Sequence, residues 1–126
     1  MTNALLAPLG ILLIITTLSF AYPPNMLIGR WQNRFPNGVF VGAVFRSDSS
    51  YDGFRNGKAF VSGKYYVRQD TFAIADGGCG LAYYGTYKLA FLANDSVRFT
   101  AIQDTCRGRR RGSDGLTLGR IKVTKP

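Results

Sequence analysis

From residue 81 onward, apolar and polar residues alternate. The odd positions run Leu81, Tyr83, Gly85, Tyr87, Leu89 and Phe91, and the even ones Ala82, Tyr84, Thr86, Lys88, Ala90 and Leu92. A period of two marks a strand with one face on a core. After Asn94-Asp95 the alternation resumes, with Val97, Phe99 and Ala101 on one face and Arg98 and Thr100 on the other. Asn and Asp tolerate left-handed backbone angles, so the two runs are expected to form a hairpin. A second alternating run is Lys58 to Arg68, in which Ala59, Val61, Gly63, Tyr65 and Val67 form the more apolar face. It is expected to turn at Gln69-Asp70 into Thr71–Ala75.

Four further strands complete the pattern. They are a run around Trp31, one from Val39 to Phe45 that is apolar on both faces, a short one over Tyr51–Phe54, and a last one from Leu116 to Val123. In the last, Leu116, Leu118 and Arg120 share a face. Asp52-Gly53, Asp76-Gly77 and Asp114-Gly115 read as Asp-Gly turns, and Arg107 to Gly115 as a basic, flexible loop. No stretch after residue 22 shows a capped helical period. About eight short strands with turn signals at intervals of roughly 8–14 residues indicate an all-β domain. Consecutive hairpin links favour an up-and-down antiparallel barrel, in which closure removes the exposed edges.

Residues 4–22 are uncharged and mostly apolar, and Ser19 and Ala21 have the small size that a signal peptidase needs at −3 and −1. The expected organisation is a signal peptide over residues 1–21, cleaved after Ala21, and a barrel domain over residues 22–126. The alternative is an uncleaved membrane anchor, since about 20 apolar residues span a bilayer. Pro8, Gly10, Thr16 and Thr17 favour cleavage, which would leave no integral membrane span and place the protein in the periplasm or outside the cell. Cys79 and Cys106 are the only cysteines, and the antiparallel return of the hairpin brings them together. Paired, they would close a loop of about 28 residues and stabilise the fold by about 3.6 kcal/mol in the chain-entropy model. Two free buried thiols are the alternative, which export to an oxidising compartment disfavours.

Charge and absences narrow the function. Lys and Arg number 16 against 7 acids, a net charge of +9, which favours anionic partners. The chain has no His, and every acid is Asp. That removes imidazole bases, Ser-His-Asp triads and His-ligated metals. Asp48 and Asp104 are the acids that no turn accounts for, and neither has an evident partner. The expectation is therefore a protein that is not an enzyme and needs no metal or cofactor.

Two binding modes remain. In the first, a small apolar or amphipathic ligand occupies the barrel among Val61, Tyr65, Tyr83, Tyr87, Phe91 and Phe99, where tyrosines would offer an apolar body with a polar tip. The other reading of these side chains is that they fill a small core completely. In the second mode, Arg107, Arg109, Arg110 and Arg111 bind an anionic surface or polymer, such as lipid headgroups, acidic glycans or DNA, through their planar donor forks.

Three features resemble the calycin superfamily, and within it small secreted lipocalin-like domains. Gly29-Arg30-Trp31 is similar to the G-x-W that opens a lipocalin barrel. Arg120 falls in the last strand, where the resemblance implies an arginine packed across that tryptophan to close one end of the barrel. The run GTYKL, followed by DSVRFTAIQDTCRGRR, resembles the ending of such domains. The resemblance implies a ligand-binding barrel, and an avidin-type barrel is the nearest alternative shape.

Overall fold

A computed structural model of the chain describes residues 22–122. The signal peptide expected over residues 1–21 lies outside the described residues. A 3-10 turn, Pro24–Leu27, leads into eight strands. They are β1 (Gly29–Arg34), β2 (Phe40–Phe45), β3 (Ser50–Arg55), β4 (Lys58–Arg68), β5 (Thr71–Asp76), β6 (Gly85–Leu92), β7 (Ser96–Gln103) and β8 (Thr117–Arg120). One helix, α1 (Arg107–Ser113), lies between β7 and β8. Each strand pairs antiparallel with the next, and β8 returns to β1 through Trp31–Arg120 and Gln32–Gly119, closing an up-and-down barrel.

Turn chemistry sets most of the register. Asn56 and Gly57 have φ of 50° and 80° in the two-residue β3–β4 turn, and Asn94 and Asp95 have 67° and 55° between β6 and β7. These left-handed angles match the right-handed twist of the paired strands. Asp52-Gly53, expected as a turn, instead lies inside β3. There Asp52 pairs in register with Val44 and Ser62, its carboxylate accepts from Ser62 Oγ at 2.6 Å, and it forms an ion pair with Arg46. Cross-strand pairing on both sides overrides the local Asp-Gly preference, and the short strand expected over Tyr51–Phe54 grows to six residues.

Aromatic rings fill the interior. Phe45 lies 4.9 Å from Tyr65 and 5.6 Å from Phe72, centroid to centroid, and Phe72 lies 5.1 Å from Phe99 and 6.4 Å from Tyr87. Leu27, Trp31, Leu89, Val97 and Leu118 complete the packing. The outward faces of Ala73 and Ala75 on β5 are buried as well.

Because strand directions alternate, the β1–β2, β3–β4, β5–β6 and β7–β8 connections share one end of the barrel, and the other three share the opposite end. At that opposite end the Arg120 guanidinium lies 4.3 Å from the centre of the Trp31 ring. Its Nη1 donates to Ile28 O at 3.0 Å, Nη2 to Met26 O at 2.6 Å and Nε to Asp95 Oδ1 at 3.1 Å. The indole Nε1 donates to Leu27 O at 2.8 Å. One arginine thus joins β8, the entry turn and the β6–β7 turn around the buried indole.

Candidate functional site

The end that carries the β7–β8 connection is closed by α1 over a buried ion cluster. The construction starts at Gly85, the first residue of β6. A Cβ there would lie 2.4 Å from Asp104 Cγ, so only glycine leaves room for the carboxylate. Asp104 follows β7, and its Oδ1 accepts the backbone N–H of Cys106 at 2.9 Å. Cys106 begins the helix and is bonded to Cys79, with a Cα–Cα distance of 5.8 Å. The start of α1 is therefore pinned twice, to the end of β7 and to the β5–β6 loop.

Arg109 then turns inward. Its Nε donates to Asp104 Oδ2 at 2.8 Å and its Nη2 to Asp104 Oδ1 at 3.0 Å, a two-pronged contact, while Nη1 reaches Asp76 Oδ2 at 3.1 Å. The side chains of Arg109, Asp76 and Asp104 are 6%, 7% and 0% exposed. Tyr87 donates its hydroxyl to Asp104 Oδ2, and Tyr51 donates to Asp76 Oδ2 at 3.3 Å. Gly78 N–H supplies Asp76 Oδ1 at 2.8 Å. Tyr83 lies beneath the guanidinium, 5.7 Å from it, and its hydroxyl accepts from Thr105 N–H at 2.8 Å. Among the described residues no buried side-chain nitrogen or oxygen lacks a partner.

The electrostatics follow from that arrangement. Burial works against ionisation of Asp104, yet the donors on Arg109, Tyr87 and Cys106 outweigh it and hold the carboxyl below its ordinary range. Burial, reinforced by the neighbouring carboxylates, pushes the Tyr51 and Tyr87 hydroxyls well up. Burial alone would make Arg109 easier to deprotonate, but its bonds to Asp104 and Asp76 more than reverse that. Two carboxylates facing one guanidinium leave a formal charge of −1 under the helix.

The outward face of α1 is of opposite sign. Arg107, Arg110 and Arg111 are exposed and, with Asp114, recur at the spacing of one helical face. Together they line a concavity of about 370 Å³. Asp114 directs Oδ1 to Ala101 N–H at 2.9 Å. No ion pair holds any of the three arginines among the described residues. A second concavity, of about 180 Å³, lies outside the barrel on β1–β3, between Arg30, Gln32, Phe40, Val44, Phe54 and Ile121.

The structure revises several expectations about this region. Arg107 to Gly115 is not a flexible loop, because residues Arg107–Ser113 form α1. Arg109 is not available to a surface anion, since both its edges are taken by Asp104 and Asp76. Asp104 and Asp48 do have partners: Asp48 Oδ1 accepts from both the N–H and the hydroxyl of Ser50. Asp76 does open the expected turn, its Oδ1 accepting Gly78 N–H ahead of Gly77-Gly78, but it is also the buried last residue of β5. The strand expected from Leu81 begins only at Gly85, because the disulfide and the Tyr83–Thr105 bond draw the preceding residues into a loop.

The candidate ligand positions are dispersed. Tyr65, Tyr87 and Phe99 are buried in the ring cluster, and the Tyr65 hydroxyl donates to Arg46 O at 2.6 Å. Val61 packs at the edge of the core. Phe91 lies at the tryptophan end, 6.3 Å from Trp31 and 4.6 Å from Tyr22. Tyr83 belongs to the opposite end, under Arg109.

Among the described residues no three or more His, Cys, Asp or Glu side chains gather into a metal-binding group, and no helix is long and apolar enough to cross a membrane. No protein-family model matches the chain, and no curated protein matches it at a significant level.

Proposed function

We propose that this protein is an exported barrel that binds anionic surfaces or polymers through the outward face of α1, with Arg107, Arg110 and Arg111 as the contacting residues. The observation that carries this reading is the division among four neighbouring arginines: Arg109 locks the helix down from beneath, and the other three stand exposed without counter-ions. A planar guanidinium donates in pairs to phosphate, sulfate or carboxylate oxygens, and three on one face can engage a repeating polyanion. The net charge of +9 adds long-range attraction. Export rests on the apolar segment over residues 4–22, within the signal peptide expected over residues 1–21, and on the Cys79–Cys106 bond, which an oxidising compartment maintains. A ligand inside the barrel is less well supported, because Tyr65, Tyr87 and Phe99 already pack against Phe45 and Phe72.

The test is retention on immobilised heparin as a function of salt, for the wild type and for the triple variant Arg107→Ser, Arg110→Ser, Arg111→Ser. The wild type is expected to elute late, and the variant early. On a phosphate polymer the slope of log affinity against log salt should fall by about 3, roughly one for each contact removed. Equal retention of a folded, disulfide-bonded variant would rule the reading out.

A further inference from the structure

The helix is not the only unusual feature of its end of the barrel. Four large apolar side chains stand exposed there: Phe35 after β1 at 37%, Phe60 near the start of β4 at 67%, Leu81 in the β5–β6 loop at 52%, and Ile102 at the end of β7 at 57%. Each comes from a different connection or strand end on the side where the β1–β2, β3–β4, β5–β6 and β7–β8 links lie. Phe60 is the extra residue where the β3–β4 register slips between Gly53 and Phe54. A bulge of this kind re-aims a side chain and bends the strand at a rim.

Exposed cations concentrate at the same end. The turns at the opposite end carry Asp48, Asp70 and Asp95, each with an arginine close by in sequence or paired to it: Arg46, Arg68 and Arg120. At the helix end, Asp76 and Asp104 are sealed beneath Arg109. Arg34, Arg55 and Lys58 are exposed on the flanking strand ends and add to the cations of α1. Among the described residues the helix end is thus the one where unpaired cations and several exposed apolar side chains occur together, whereas at the opposite end the acids are matched by arginines and Ile121 is the exposed large aliphatic side chain.

We propose that this end docks end-on on an anionic lipid bilayer, with the exposed arginines among the headgroups and Phe60, Leu81 and Ile102 entering the interface; the proposal rests on the anion-binding reading given above. A soluble polyanion would satisfy the cations but leave the leucine and isoleucine without a partner. A bilayer interface satisfies both, because its headgroups carry the charge and its acyl boundary accepts apolar side chains. Apolar residues on separate loops around one rim suit contact with a plane better than contact with a strand or groove. Docking is shallow, since loops and not whole strands meet the lipid.

The experiment measures co-sedimentation of the disulfide-bonded protein with extruded vesicles, either of phosphatidylcholine alone or with an equal part of phosphatidylglycerol. Heparin retention is measured in parallel. Wild type is expected on the anionic vesicles and not on the neutral ones. Removing Arg107, Arg110 and Arg111 should weaken partition by about a hundredfold, at roughly fivefold for each basic residue near an anionic surface. The double variant Phe60→Ser, Leu81→Ser should keep heparin retention and lose vesicle partition by about tenfold or more. Ile102→Ser is a second, independent variant, because its outward side chain can be changed without touching the packed face of β7, and it should act in the same direction. Heparin retention with no vesicle binding, or vesicle binding unchanged by both apolar variants, overturns the lipid proposal and leaves the anion-binding reading standing. Loss of both by the wild type overturns the two together.

Discussion

Arg109→Met is the most informative single change. It keeps most of the side-chain volume and removes the charge, so the loss reports on the ion cluster and not on a cavity. Three hydrogen bonds disappear, at 2.8, 3.0 and 3.1 Å, and two carboxylates whose side chains are 7% and 0% exposed are left facing each other. Removing one partner of a buried ion pair costs about 3–5 kcal/mol, because the remaining charge keeps its desolvation penalty without compensation. For a domain of this size each kcal/mol moves Tm by about 4–8 °C, so a drop of at least about 12 °C is expected.

The pH dependence supplies the sharper test. In the wild type the Asp104 carboxyl is held below its ordinary range. Its contribution is therefore present above the unfolded-state value, about 3.9, and is lost as pH falls through the folded one. In Arg109→Met the sign reverses. The site relieves two unneutralised buried charges by taking up a proton, which raises the folded-state affinity for protons and restores stability as pH falls. The deficit should be largest at neutral pH and should shrink on acidification. Urea unfolding followed through Trp31, the single tryptophan and 1% exposed, measures both curves. The exposed neighbour provides the control, as Arg110→Met should stay within about 0.5 kcal/mol. A deficit below about 1 kcal/mol at neutral pH, or one that does not change with pH, would refute the account of the cluster.

Two further predictions concern the remaining anchors. Arg120→Ala removes a cation over a buried indole, about 1–2 kcal/mol, together with bonds to Met26 O and Ile28 O. The expected total is about 2–3 kcal/mol by urea unfolding, and a loss within about 0.5 kcal/mol would mean that the barrel closes without it. Gly108→Ala and Gly112→Ala add a methyl group to α1 where nothing lies within 4 Å. Each should stabilise by about 0.5–1 kcal/mol, and a measured loss would show that the helix is strained or absent in solution.

Much of this architecture can be read along the chain, for identifiable reasons. Period-two alternation needs only neighbouring residues, so β4, β6 and β7 are visible within a few residues of their bounds. Asn56-Gly57 and Asn94-Asp95 are visible because left-handed angles are demanded locally. The side of β8 that bears Arg120 follows from Leu116 and Leu118, and the closed barrel brings that side to Trp31. The helix could not be read in the same way. It contains no apolar residue to form a stripe, and Gly108 and Gly112 argue against it. What holds it is an arginine meeting carboxylates 5 and 33 positions away and a disulfide spanning 27, none of which has a period. Asp76 was legible only in part for the same reason: Asp-Gly marks the turn that follows it, whereas burial beside Arg109 is a tertiary fact. The inward face of Tyr65 and Tyr87 was legible, that of Tyr83 was not because it precedes β6, and whether the inward rings meet one another or leave a cup depends on the width of the closed barrel.

If α1 binds anions as proposed, the helix links stability to binding in one direction only. A segment without an apolar face cannot be held by hydrophobic burial, so α1 is held by charge from beneath and by a covalent bond at its start. Once Arg109 is fixed inward, helical spacing leaves Arg107, Arg110 and Arg111 no orientation but outward. Changing those three alters the surface and leaves the buried cluster intact, so anion retention should fall while the unfolding midpoint stays. Changing Arg109 should lower the midpoint and release the element that presents the other three, so retention should fall as well, although Arg109 is bonded inward to Asp104 and Asp76 and not to an external anion. Loss of retention with stability kept in the first case, and loss of both in the second, is the pattern that a surface built on a buried ion cluster requires. A flexible basic loop would give the first result without the second.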